Sequence, residues 1–155
     1  MTSSISPADK LALIAKDLTK VPPASPRVTL AGYVIAARCL EKCRSVLAGT
    51  AGDYHSGCPL DLFFLEFVGI AYEDFKAFVA TGATDAEVEV WIGEKATARP
   101  KIEVIRWNNT WRDKRLSELP DGLQEYMENY IPQFVPRNRP VYTFFDVYDL
   151  EEQRI

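Results

Sequence analysis

Prolines set the strongest limit on what this chain can build. Ten of them are spread over 155 residues. Inside a helix a proline removes a backbone donor and clashes with the preceding turn, whereas at the first helical position it does neither. Pro7, Pro59, Pro100 and Pro120 each stand at the head of a stretch with helical periodicity, so they read as helix starts. Ser6 before Pro7 supplies an N-cap. Pro22, Pro23 and Pro26 lie within five residues and force an extended connector. Pro132, Pro136 and Pro140 break the last part of the chain repeatedly.

Between these joints the apolar residues recur at helical spacing. Leu11, Leu13, Ile14 and Leu18 make a short amphipathic stretch. The longest signal runs from about Thr29 to Ala48 and is closed by Gly49. At about 100° per residue it gathers Tyr33, Ala36, Cys39, Leu40, Cys43, Val46 and Leu47 on one arc. Arg38, Glu41, Lys42 and Arg44 spread over the opposite side and are expected to face solvent. A glycine-rich bend, Gly49–Gly57, leads to Cys58–Pro59 and a helix ending at Gly69, apolar almost all round and so expected to be central.

A short helix from Tyr72 to Ala80 stops at Thr81–Gly82. Thr84 with Glu87 forms a capping box for a helix from Asp85 to about Lys95. Further stretches carry Ile102, Ile105, Trp107 and Trp111, then Leu123, Tyr126, Met127 and Tyr130. Val141–Tyr148 is rich in β-formers. It reads as an isolated strand, a strand at a subunit interface, or the first turns of a helix through Glu152; with no clear partner strand, the helix is favoured. The expected fold is all-α: one compact domain, 1–155, of about six helices, with a C-terminal segment that is otherwise irregular or short and β-like.

Composition excludes several classes. Hydrophobic residues make up 47% and aromatics 12%, enough to bury a core without a metal or disulfide. The net charge of −4 opposes general binding to nucleic acid, which needs a basic field. No run approaches 18 uncharged apolar residues, so no membrane span is expected. Three cysteines, an odd number, and the lack of a basic leader with an apolar core point to a reducing, cytoplasmic setting. Asn108–Asn109–Thr110 fits the glycosylation acceptor pattern, which carries no weight without a secretion signal.

A set of strings has a further meaning. Asp17–Leu18–Thr19, Ser25–Pro26–Arg27 and Leu30–Ala31–Gly32–Tyr33 open it; Ala37–Arg38 and Glu41–Lys42–Cys43–Arg44 follow. Gly52–Asp53–Tyr54, Cys58–Pro59–Leu60–Asp61, Phe64–Leu65–Glu66–Phe67–Val68–Gly69–Ile70 and Gly82–Ala83–Thr84–Asp85 complete it. Together they resemble a bacterial family known as domain of unknown function 5069, from about Asp17 to Trp91 and more loosely to the end. The resemblance implies a bacterial setting and one domain, with a family-like core at 17–92 and an extension at 99–155. It implies no activity. In that family's pattern Cys58 belongs, and Cys39 and Cys43 do not.

Three constellations could carry chemistry. Cys39, Cys43, His55 and Cys58 offer four metal-ligand types, but Cys39 and Cys43 lie in the middle of the apolar arc, where free cysteine packs as a small hydrophobe. No metal and no cofactor are expected. Cys58 stands at a helix start, where unpaired N–H groups and the helix dipole favour a thiolate, and His55 three residues away could serve as its base. Arg38, Glu41, Lys42 and Arg44, with Tyr54 and Asp61 across the bend, could hold an anion, since the arginine fork suits carboxylate or phosphate.

The leading expectation is therefore a binding module for a small anionic metabolite or a protein partner, through the Arg38–Arg44 helix and the Tyr54–Asp61 segment. The alternatives are a thiol-dependent enzyme or redox protein, with Cys58 as nucleophile or redox thiol, His55 or Asp61 handling protons and Arg38 holding the substrate, or a structural protein. In that last case Phe144, Phe145 and Tyr148, if exposed, would form a homodimer patch.

Overall fold

The computed structural model describes residues 5–155. Eight α-helices follow in order: α1 (Pro7–Ile14), α2 (Ala36–Ala48), α3 (Pro59–Val68), α4 (Tyr72–Val79), α5 (Asp85–Lys95), α6 (Lys101–Arg112), α7 (Asp121–Phe134) and α8 (Phe144–Glu151), with a 3-10 turn at Leu116–Glu118 before α7. The all-α expectation holds; the count of six was short by two. Among the described residues there is no strand, and no helix is long and apolar enough to cross a membrane.

The helix starts follow the local chemistry. Ser6 caps α1 by accepting from the Asp9 N–H, and Thr84 with Glu87 closes a full capping box on α5. Gly49 and Gly69 end α2 and α3 in the left-handed conformation. Pro132 does not break α7. It sits in the last turn, where the N–H it lacks removes only one late bond.

The stretch at 29–48 is helical only from Ala36. Ala31 and Gly32 both have positive φ (55° and 89°), and Leu30 and Tyr33 exchange two 3.0 Å backbone bonds across them. Consecutive positive φ values mark the tight turn that glycine permits. Buried Asn108 clamps this turn, accepting from the Val34 N–H at 3.1 Å and donating to the Gly32 carbonyl at 2.8 Å. Its side chain is thus a structural clamp. Ile35, a β-branched residue at φ 74°, completes the entry to α2, with its N–H bonded to the Pro26 carbonyl at 2.8 Å.

α2 is the central helix and packs on α1, α3 and α4. Cys39 and Cys43 are fully buried on it, as their arc predicts. Val46, placed on the same arc, is exposed. The larger correction concerns the other side: Arg38, Lys42 and Arg44 are 2%, 3% and 6% exposed. The helix is enclosed almost all round, so its charged residues face other elements and not solvent.

Around α2 the aromatics pack largely as a core. Phe64 and Phe75 are fully buried, and three stacked pairs, Phe63–Trp111, Phe67–Trp107 and Phe78–Trp91, join α3 to α6 and α4 to α5 at ring centroid distances of 4.3, 4.5 and 4.8 Å. Ile102 and Ile105 instead lie on the exposed side of α6.

The Val141–Tyr148 string resolves into two parts. Thr143 makes an isolated antiparallel bridge with Arg115 and then caps α8, accepting from the Asp146 N–H. Val141 and Tyr142 have no regular structure; from Phe144 the string is helix, and Phe144 and Phe145 are fully buried. The favoured helix therefore holds, no β-strand forms here, and with Phe144 and Phe145 buried the condition for an exposed aromatic patch is not met.

Gly82 shows how closely the helices approach. Its φ is +81°, and an added Cβ would lie 2.5 Å from Lys10 Cβ and 3.1 Å from the Leu11 nitrogen and the Pro7 oxygen. Gly82→Ala is expected to lower unfolding free energy by more than about 2 kcal/mol, since left-handed strain and overpacking add. Gly122→Ala, with open space at its Cβ, is expected to be neutral or slightly stabilising. Urea titration of the two variants checks both, and a Gly82→Ala midpoint equal to that of the parent would contradict the first.

Candidate functional site

The i, i+4 spacing of Arg38 and Lys42 puts both on one line of α2. Their environments differ. The Arg38 guanidinium meets Glu152, just beyond α8, in a two-pronged pair with both contacts at 2.8 Å, and donates to the Ala24 carbonyl at 3.1 Å. Its carbon lies 4.7 Å from the Tyr148 ring centre and 5.6 Å from that of Tyr54. The Tyr54 hydroxyl donates to Glu152 at 2.8 Å, and Arg154 pairs with the same carboxylate. Burial opposes the charge on Glu152, but these bonds outweigh it and hold the carboxyl below its ordinary value. Arg38 Nε is buried without a partner among the described residues.

One turn on, Lys42 Nζ lies 3.0 Å from Cys58 Sγ and 3.0 Å from Asp61 Oδ1. Asp61 is fully buried, and its other oxygen accepts from the Gly57 N–H at 3.0 Å. Among the described residues no well-aligned hydrogen bond reaches Asp61 Oδ1, which is held by its ion pair with Lys42. Burial pushes the Lys42 ammonium down, but Asp61 and then Cys58 hold it above the usual lysine range. Burial also raises the Cys39 thiol, and it raises that of Cys43 to about 11, so both stay protonated.

Arg44 and Glu41 lie apart from this group. Arg44 pairs with Asp85 at 2.6 Å and donates to the Ala83 carbonyl at 2.9 Å. Glu41 pairs with Lys16 and accepts from the Ala24 N–H, both at 2.5 Å. Both residues border a separate hollow of about 370 Å³ between α1, α2 and α5. The six expected binding residues therefore divide: Arg38, Lys42, Tyr54 and Asp61 come together, while Arg44 and Glu41 tie α2 to other segments.

Arg38, Lys42, Tyr54 and Cys58 line a cleft of about 980 Å³, and exposed His55 also lines it. The neighbour that Cys58 contacts is Lys42; no hydrogen bond joins Cys58 to His55 among the described residues. The far wall is α7, which contributes Leu123, Met127 and the ladder Tyr126–Tyr130–Phe134, with ring centres 5.5 and 4.4 Å apart. Phe144 and Tyr148 of α8 form the floor.

Glu151 also lines the cleft and accepts from the Tyr130 hydroxyl at 2.5 Å. Burial lifts its carboxyl above the ordinary range, and the Tyr130 bond only partly offsets this. Glu151, Glu152 and Tyr130 were not singled out as site residues from the sequence, and Tyr148 was read only as part of a homodimer patch. The one clue to them is the demand of a buried arginine for a carboxylate, and that appears only once Arg38 is known to be buried.

The arrangement can hold an apolar, ring-bearing molecule against α7 and present it with a thiol and tyrosine hydroxyls. Among the described residues no three His, Cys, Asp or Glu side chains come close enough to hold a metal ion. No curated protein matches the chain. The family described as Domain of unknown function (DUF5069) matches residues 20–154, nearly the whole length, and the chain belongs to that family.

Proposed function

We infer that this protein binds a small molecule in the cleft between α7 and the α2–α3–α8 side. One observation carries the reading: a cavity of about 980 Å³ walled by the Tyr126–Tyr130–Phe134 ladder and ended by the buried Lys42–Asp61 pair. Ligand sites are concave and mainly apolar, with a few placed polar groups, and this cleft has that composition. An anion is a poorer match than the sequence suggests. Arg38 is already occupied by Glu152, and Lys42 by Asp61. Asp53 and Glu151 add carboxylates to the lining. The ligand that fits has a ring-bearing apolar body and an uncharged hydrogen-bonding head directed to Tyr148 and Cys58.

The neutral dye N-phenyl-1-naphthylamine tests this. It is expected to bind saturably, one per chain. Gly122→Trp, which enters the cleft mouth from α7 where an added Cβ meets open space, is expected to abolish binding while the fold is kept. Unsaturable binding, or binding unchanged in Gly122→Trp, would contradict the reading. A sulfonated analogue binding more tightly, with the gain lost in Arg38→Ala, would restore the anionic ligand.

A further inference from the structure

Cys58 is the thiol that a molecule in the cleft would meet. It caps α3 without a side-chain hydrogen bond of its own to the helix, and its Sγ receives the Lys42 ammonium at 3.0 Å. Lys42 is 3% exposed and Asp61 is fully buried. Keeping two ionised groups out of water is costly, and here one of them is directed at a sulfur. Removing either from water is justified structurally by the pairing with the other, yet that pairing does not require a cysteine as third member. Arg38, 2% exposed at the same end of the cleft, leaves Nε unpartnered. The end of the cleft is thus more polar than packing needs, and it surrounds the one half-buried thiol of three.

We propose that Cys58 is a covalent modification site for low-molecular-weight disulfides with uncharged arms, and that its modification closes the cleft. The thiol gives its proton to solvent, and the thiolate is stabilised by the Lys42 ammonium. Sγ attacks one sulfur of the small disulfide; the Cys58–sulfur bond forms, the original S–S bond breaks, and the other half leaves as a thiolate that takes a proton from solvent. Cys58 is oxidised and the departing half is reduced, so no further reactant is needed. Cys39 and Cys43 are shielded by full burial and by thiols held in the protonated form. The carboxylates of Asp53 and Glu151 on the lining disfavour anionic disulfides. A mixed disulfide on Cys58 projects into the space that the proposed ligand occupies. The exclusion between them rests on the proposed function; the covalent site does not.

Bis(2-hydroxyethyl) disulfide is the probe, added to the native 155-residue chain, with adducts located by mass spectrometry. Cys58 is expected to react at least about tenfold faster than Cys39 and Cys43. Lys42→Met should slow it by about tenfold and Lys42→Arg should restore most of the rate. If Lys42→Met fails to fold, Lys42→Arg and the ranking of the three native thiols still decide the matter. Saturating N-phenyl-1-naphthylamine should protect Cys58. Equal rates at the three cysteines, or no adduct at Cys58, would overturn the site. Fast reaction at Cys58 with no dye binding would uphold the covalent site and refute the apolar ligand. Dye binding with an inert Cys58 would do the reverse. Dye binding that leaves Cys58 equally fast would remove only the exclusion.

Discussion

Glu152→Gln is expected to lower the unfolding free energy by about 3–5 kcal/mol, because it leaves the Arg38 cation buried without a carboxylate. Arg38 is 2% exposed, and its remaining partners would be the one neutral amide oxygen of the glutamine, one backbone carbonyl and two aromatic faces. For a chain of this size the loss corresponds to a melting temperature lower by about 10–15 °C. Arg38→Met should cost less than this, because Glu152 keeps Arg154 and Tyr54 as partners. The double variant Arg38→Met with Glu152→Leu should recover most of the loss, since an apolar pair can replace a buried ion pair at little cost. Urea unfolding of these three variants together with Glu152→Leu, the matching single change, completes the cycle. A Glu152→Gln loss below about 1 kcal/mol would mean that the two groups are solvated, as exposed ion pairs are.

The same carboxyl fixes the sign of an acid effect. Its value in the folded chain lies below the ordinary one. The stability it contributes is therefore complete above the unfolded glutamate value of about 4.3 and is lost as pH falls through the lower folded value. Glu151 works in the opposite direction, since burial raises its carboxyl. Folding favours its protonated form, so its contribution is present at low pH and declines as pH rises through the raised value.

How far the sequence could be read depended on whether the deciding signal was local. Caps and proline starts are local, and α1, α3 and α5 follow them closely. The burial of Cys39 and Cys43 followed from periodicity on α2 alone. The start of α2 did not, because Ala31–Gly32 looks like part of the periodic stretch and its turn is clamped by Asn108, 76 residues beyond Gly32. Arg38 and Lys42 were placed on the solvent side because charge is ordinarily exposed. Only the carboxylates of Glu152 and Asp61, delivered by other elements, make their burial tolerable. The site was therefore half legible: the residues on α2 and at the head of α3 could be named, but the α7 and α8 wall that turns them into a cleft could not. α8 was legible from the lack of a partner strand, which favoured a helix, but its start was not, since the Thr143 cap lies in a run of β-formers.

That wall leads to the largest effect expected here. A chain ending after Arg139 should not fold. Such a deletion removes Phe144, Phe145, Val147 and Leu150, four apolar side chains that are at most 3% exposed. At about 1.5–3 kcal/mol for each buried side chain, this withdraws roughly 6–12 kcal/mol. The whole stability of a domain is about 5–15 kcal/mol. The deletion also strips Arg38 of Glu152 and Arg27 of Asp146 and Asp149, and leaves α6 with the Trp111 face that packs on Phe144 uncovered. The shortened chain is expected to show no cooperative thermal transition and to bind apolar dye without saturation. Phe144→Ala is the graded form of the same test, with an expected loss of about 3–5 kcal/mol and a retained, lowered transition. Were the shortened chain to melt cooperatively near the parent temperature, α8 would be an appendage, and the Arg38–Glu152 pair could not be holding it against α2.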